Sequence, residues 1–473
     1  LENDRPFIKN LIRQSDVMTT SAVGLLAYGT LCLALLGASW KYPAVALAGI
    51  LCMFGLEQWG QATNRFFAQH QTVTNLIIGG LLVLALATHT MRRGFAVLSG
   101  YPLIGWLTLA LFVYAFASIQ WSPRPDLSAN LWNSRWPYVV TIVLLSPLLI
   151  TQARDLRMTY VALVLAGGLL TTFLLLFVKW ESRRIVLEND LGNPLAIAVM
   201  AGMVLLVVIL ADPWPESKVW FPLKWMLVGF SLALIVRSGS RGQLLGVLLC
   251  CIVCWPLSRG LRSVKQFALL SFVIIFFGLA VSWTMQEFWG NEISGGNGRW
   301  SGRSAEKDVS GRLDNALKMV RLAAASPETL LFGLGNSAAY DPRILGYYPH
   351  FLPLEILAEE GLLGFSLYLL VYICAIRSTF RSFRSVNNDP KNRRLLGALV
   401  GLYLFTSILS LKQGSLLLNL ELFMLGIILG KYEHAVLLNR ETENSIKKDM
   451  EKGQLFSFTE QHGFSTGKVS ILP

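Results

Sequence analysis

The sequence predicts an all-α, polytopic integral membrane protein of about twelve transmembrane helices, and three observations predict it. Hydrophobic residues make up 53% of the chain and charged residues 15%, with a mean hydropathy of +0.51, far more apolar than ordinary soluble usage. Apolar runs approaching the roughly 20 residues that a helix needs to cross hydrocarbon recur along most of the length. The runs are continuous rather than alternating, which excludes a β-barrel. Lipid offers no water to unpaired backbone groups, so helices are the remaining way across.

In order, the apolar segments lie near 21–38, 42–56, 74–91, 102–120, 137–151, 158–178, 192–211, 219–236, 242–257, 264–285, 352–376, 394–411 and 413–430. Several fall short of the ideal length, which tilt and bilayer thinning absorb. Arg and Lys gather in short connections, as in Arg154/Arg157, Arg259/Arg262/Lys265 and Arg377/Arg381/Arg384/Arg393/Arg394. The positive-inside rule assigns these to the cytoplasm. It leaves 121–136, 179–191, 237–241 and one large loop, 286–350, on the outer side. Thirteen crossings would put Arg5, Lys9 and Arg13 outside, against the charge rule. Either 42–56 does not cross fully or the count is one too high; twelve spans with both termini cytoplasmic is the preferred reading. The domain layout is then 1–435 transmembrane, with 436–473 a polar cytoplasmic tail of short helix and disorder. No cleavable signal peptide and no internal repeat is evident, and the lack of a repeat disfavours an inverted-repeat transporter.

The net charge of +12 does not read as a nucleic-acid signal, because its placement beside apolar runs is that of an orientation device. All six cysteines (Cys32, Cys52, Cys250, Cys251, Cys254 and Cys374) fall inside apolar runs. Cys250-Cys251-x-x-Cys254 has no second ligand pair and reads as packing. No carboxylate cluster stands at metal-ligand spacing, so neither a metal nor a cofactor is expected.

Arginine on the outer side, where charge bias predicts depletion, is the feature that calls for chemistry. Arg124, Arg135, Arg183, Arg184, Arg237, Arg241 and Arg312 all fall there. Guanidinium groups stay charged and fork onto phosphate oxygens, so converging arginines suit a diphosphate. Arg299, Arg303, Arg321 and Arg343 share their loop with Glu292, Glu306, Asp308, Glu328 and Asp341. Those four read as partners of the carboxylates or of lipid headgroups. Arg241, in RSGSRGQLLG, is pinned between two apolar runs beside Gly239 and Gly242, and a charge at that depth is functional by default. His350 lies between Pro349 and Pro353 at the start of a helix. The positive end of the helix dipole favours its neutral ring, able to accept a proton; a helix-capping role is the other reading. Glu355 and Glu359, one turn apart, read first as structural pairing groups, with positioning of substrate or of His350 as the alternative.

At these residues the chain resembles the O-antigen ligase and O-antigen polymerase superfamily of bacterial envelope glycosyltransferases. LGNPLAIA at 191–198 resembles its Asn-Pro segment, and SGSRGQLLG at 238–246 its Ser-Arg-Gly turn. GRLDNALKMVRLAAASPETLLFGLG at 311–335 is similar to its long-loop arginine, helix, proline and Gly-x-Gly pattern. PHFLPLEILAEEGLLG at 349–364 resembles its histidine helix. The chain departs from the pattern at Phe351, where asparagine is common, and at Asp314 and Asn315, near which tryptophan is common. The resemblance implies a C-type, metal-independent, inverting glycosyltransferase of the inner membrane with a periplasmic active site. Its donor would be an undecaprenyl-diphosphate-linked glycan, and its acceptor the lipid A-core or, in a polymerase, another glycan. Ligase is the preferred member, and a transporter of a lipid-linked anion is the rival from another class. In this scheme Arg241, Arg312 and Arg184 or Arg183 hold the diphosphate, and His350 is the general base. Arg135, Asn193 and Glu355 support the site.

Overall fold

The apolar runs fold as helices laid side by side, with the polar connections collected at two opposite ends. The computed structural model describes residues 5–97, 100–181, 184–187, 192–260 and 302–451, and isolated positions between 265 and 280. In chain order these form α1 (Arg5–Lys41), α2 (Ala46–Leu51), α3 (Met53–Thr63), α4 (Arg65–Gln69), α5 (Thr72–Arg93), α6 (Leu103–Ala117), α7 (Pro125–Tyr138) and α8 (Ala153–Leu176). A two-stranded hairpin follows, β1 (Trp180–Glu181) and β2 (Arg184–Ile185), antiparallel with Trp180 opposite Ile185 and Glu181 opposite Arg184. Then come α9 (Pro194–Leu210), α10 (Trp220–Arg237), α11 (Arg241–Arg259), α12 (Gly302–Ala323), α13 (Pro327–Phe332), α14 (Leu352–Glu359), α15 (Gly361–Ser385), α16 (Pro390–Ser410) and α17 (Leu420–Glu451). Among the described residues, eight helices are long and apolar enough to cross a membrane, and the bent pair ending in α3 makes a ninth. The protein is a multi-pass α-helical membrane protein.

Helix α9 sits at the centre. It is apolar on every face, the signature of a helix with no side left for solvent or lipid, and Ile197, Ala201, Val204 and Leu206 are among its fully buried residues. Helices α8, α10, α11 and α16 surround it. Phe405 of α16 packs so closely that a side chain at Gly202 would lie 2.7 Å from its ring. Cys250, Cys251 and Cys254 of α11 are buried free thiols, placed where packing residues belong.

Hydrogen bonds fix which connections share an end. At one end the Thr159 hydroxyl donates to the Ala44 carbonyl and the Tyr160 hydroxyl to that of Leu395. Arg393 donates to the Leu257 carbonyl, and Arg259 pairs with Asp212. This is the basic end, gathering 152–157, 258–260 and 385–394. At the other, Asn336 N–H donates to Ser118, Leu416 N–H to Glu355, and Arg312 to the Lys412 carbonyl. It gathers 118–124, 180–181, 184–187, 192–193, 237–241, 302–350 and 411–419. This opposite clustering is the partition that the charge pattern predicts.

The N-terminal region differs from expectation. Arg92 at the end of α5 donates to the carbonyls of Trp40 and Lys41, so α1 and α5 both end at the basic end. Gln58 of α3 accepts the N–H of Asn193, at the opposite end. The chain over 43–63 therefore crosses fully, with a 63° bend between α2 and α3. Helix α1 thus approaches from the end opposite to the one where α17 leaves, where both termini were expected on one side.

Three further boundaries move. The connection 121–136 is mostly helix α7, with Pro137 inside it. Proline removes a donor and crowds the preceding turn, and the chain runs on as a π-helix over Val139–Leu145. The expected span 352–376 is two helices, parted at Glu360 and Gly361, where Gly361 takes φ +64°. Helix α17 continues unbroken through 436 to Glu451, so no break marks the expected domain boundary. Most of the expected span 264–285, residues 286–301 and residues 452–473 lie outside the described residues.

Candidate functional site

The Ser-Gly-Ser-Arg turn joins α10 to α11. Gly239 adopts φ +66°, a conformation other residues rarely take, and the Ser238 hydroxyl bonds that of Ser240 at 2.8 Å. This tight reversal delivers Arg241, half-buried, as the first residue of α11. Two residues further, Gln243 is fully buried, and its carbonyl oxygen accepts from Lys412 Nζ at 2.8 Å while its amide donates to Gln413 at 3.0 Å. Lys412 also lies against the backbone of Gly242. The Lys412 carbonyl in turn accepts Arg312 Nη1 at 2.7 Å. Three segments far apart in sequence therefore bring Arg241, Arg312 and Lys412 to one locality at the end of the bundle.

His350 joins them through Arg312 and Tyr348. Its ring centroid lies 4.0 Å from that of Tyr348. Burial, and secondly the Arg312 charge, hold the imidazole below its ordinary range. That shift favours the neutral ring through burial and Arg312, not through a helix dipole. His350 is one residue outside the cap of α14, which Phe351 occupies without a side-chain hydrogen bond, and the helix is only eight residues long. His350 also adopts φ +61°. That left-handed conformation costs a non-glycine residue roughly 1–2 kcal/mol, and strain of this kind clusters at functional positions.

Beneath His350 lies a layer of buried acids. Glu355, Glu359 and Glu360 are each under 5% exposed. Glu359 accepts the N–H groups of Ser337 (2.8 Å) and Ala339 (2.9 Å). Glu360 accepts the Asn336 side-chain amide at 3.0 Å, and Glu355 the N–H of Leu416. The second oxygens of Glu355 and Glu360 are buried with no hydrogen-bond partner among the described residues. Burial pushes all three carboxyls up, Glu360 to about 7. The Gly-x-Gly stretch makes this possible. Leu334 and Gly335 donate to the carbonyls of Ala358 and Glu359, and a side chain at Gly333 would lie 2.1 Å from the Glu359 carbonyl. These glycines let backbone pass over backbone. A cavity of about 80 Å³ remains, lined by Arg135, Tyr340, Tyr348, Glu355 and Glu359 among others.

The sequence-predicted residues thus separate. Arg241, Arg312 and His350 share one locality, and Arg135 and Glu355 line the adjoining cavity. Arg184 stands exposed on the hairpin opposite Glu181, with no contact to that locality among the described residues; Arg183 lies outside them. Asn193 is exposed, and its side chain caps α9 by accepting the N–H of Leu195 at 3.0 Å. Arg237 stacks over Trp180 of the hairpin, and Arg343 pairs with Asp341 at 2.6 Å, as read for that loop. Glu355 and Glu359 engage backbone N–H groups instead of an arginine. Sequence reasoning missed Lys412, Gln243 and Gln413. The available signal was a lysine in the tight connection between two apolar runs at the arginine-bearing end. Among the described residues no group of three or more His, Cys, Asp or Glu side chains is disposed to hold a metal. No protein-family model and no curated protein matches the chain.

Proposed function

We propose that the protein is an inverting, metal-independent glycosyltransferase of the bacterial inner membrane, an O-antigen ligase. It would move a glycan from undecaprenyl diphosphate onto the lipid A-core oligosaccharide at the periplasmic face. The carrying observation is the convergence of Arg241, Arg312 and Lys412 beside a half-buried His350 whose imidazole favours the neutral form. Cations held by hydrogen-bonded neighbours suit a diphosphate, and stabilise the charge that grows on it as the glycosidic bond breaks. The acceptor hydroxyl attacks the anomeric carbon, the bond from that carbon to the diphosphate oxygen breaks, and His350 takes the hydroxyl proton. Attack opposite the leaving group inverts the anomeric centre. The resemblance of the four motifs to the ligase and polymerase superfamily supports the same reading.

The test is direct. Purified protein is incubated with lipid-linked O-antigen and, separately, with lipid A-core or a second repeat unit as acceptor. The ligase reading expects transfer to lipid A-core, undiminished by a chelator. Transfer only to the repeat unit would make the protein a polymerase. Binding of the donor with no cleavage under either condition would favour a carrier of lipid-linked anions.

A further inference from the structure

The basic end holds a second cavity, of about 310 Å³, between the starts of α8 and α16 and the connection from α9 to α10. Arg157, Lys391 and Arg394 line it, facing Asp212, Trp214 and Glu216. Its charges do not balance locally. Asp212 already accepts from Arg259 at 2.8 Å, from the Trp220 indole at 2.8 Å and from Lys224 at 3.2 Å. Arg259, Lys224 and the Trp220 indole thus already engage Asp212. Asp212 also adopts φ +50°, a left-handed conformation in which Asp is enriched among non-glycine residues. The side chains of Arg157, Lys391 and Arg394 make no hydrogen bond or ion pair among the described residues. Within the lining the opposing carboxylates are Glu216 and the already engaged Asp212. Asp389 caps α16 by accepting the N–H groups of Lys391 and Asn392, so an anion here would be held by side chains and not by the helix terminus.

We propose that this pocket binds a phosphate-bearing anion, with the headgroup of an anionic phospholipid as the source the surroundings favour. Two guanidinium groups and an ammonium match the charge and oxygen geometry of a phosphate ester. Basic pockets between helices at this level are suited to such headgroups. Immediately beside the pocket, Val219, Phe221 and Trp225 expose their apolar side chains at the start of α10, a face along which acyl chains can lie. The site is at the opposite end of the helices from His350 and does not depend on the reaction proposed above.

The experiment uses the full chain, purified and delipidated in detergent. Binding of phosphatidylglycerol, phosphatidylcholine and soluble glycerol 3-phosphate is measured by native mass spectrometry. The wild type should prefer phosphatidylglycerol to phosphatidylcholine by about tenfold or more. Arg157→Gln with Arg394→Gln should erase that preference. Arg381→Gln removes a basic side chain that pairs with Glu433 outside this pocket, and should leave the preference intact. Glu216→Gln, removing the opposing carboxylate, should tighten binding. Saturation by glycerol 3-phosphate with the same dependence on variants would uphold the phosphate site and make its source soluble. Equal binding of the two lipids without glycerol 3-phosphate binding overturns the proposal, as does indifference to the double substitution. Should the double variant not fold, Glu216→Gln decides, and no gain in binding overturns it.

Discussion

His350 illustrates how a single residue's chemistry is set by its neighbours. Its neutral form is favoured first by burial and then by Arg312. A base with a depressed pKa works at pH values above that pKa and fails as the pH falls through it. Replacing Arg312 removes one of the two depressing influences. Arg312→Gln should therefore move the acid limb of the rate profile, measured at saturating donor, to higher pH. An unmoved limb would show that His350 does not govern it. Arg241 and His350 were legible as residues because each is a rare type in a conspicuous place. Gln243 was not, since one glutamine in an apolar helix carries no pattern, and Lys412 offered only its place in a tight connection at the arginine-bearing end. Their roles appear only when α11, α12 and the 411–419 connection meet in space.

At the scale of elements, the seam between the 333–339 segment and α14 holds the site's floor together. Gly333 adopts φ +85° against the Glu359 carbonyl. Gly333→Ala combines a strained backbone with a steric clash, and should cost about 3 kcal/mol or more, visible as a lowered thermal midpoint and poor yield in detergent. The same seam should respond to pH. Glu360 is raised from 4.5 to about 7 by burial, so the folded protein holds its proton while the unfolded chain releases it. Stability is then fullest below about pH 4.5 and declines as the pH rises towards 7, with Glu355 and Glu359 acting in the same direction. Glu360→Gln, which cannot ionise, should flatten that decline in thermal midpoint; a slope identical to wild type would contradict the assignment. Helix existence was legible from hydropathy alone. The parting of α14 from α15 was not, because Gly361 inside an apolar run looks like a packing glycine until Gly333 is found against it.

For the whole molecule, charge placement identified which connections lie together, and contacts between distant segments bear that grouping out. It misjudged the N-terminal region, because Arg5, Lys9 and Arg13, which lie within α1, were given more weight than the apolar run 42–56. With the proposed orientation, a cysteine at Arg343 should react with an impermeant reagent in intact cells, and one at Arg384 only after permeabilisation. The reverse pattern would place the candidate site on the cytoplasmic side and remove the periplasmic chemistry.

The central claim is that His350 removes the acceptor proton while Arg241, Arg312 and Lys412 hold the donor. The measurement that tests it most directly takes donor affinity and transfer rate from one preparation of His350→Ala. The account predicts near-normal affinity for the lipid-linked donor and a rate at saturating donor lower by about 10²–10⁴-fold. A collapse of affinity with a normal saturating rate would contradict it, making His350 a donor-binding residue.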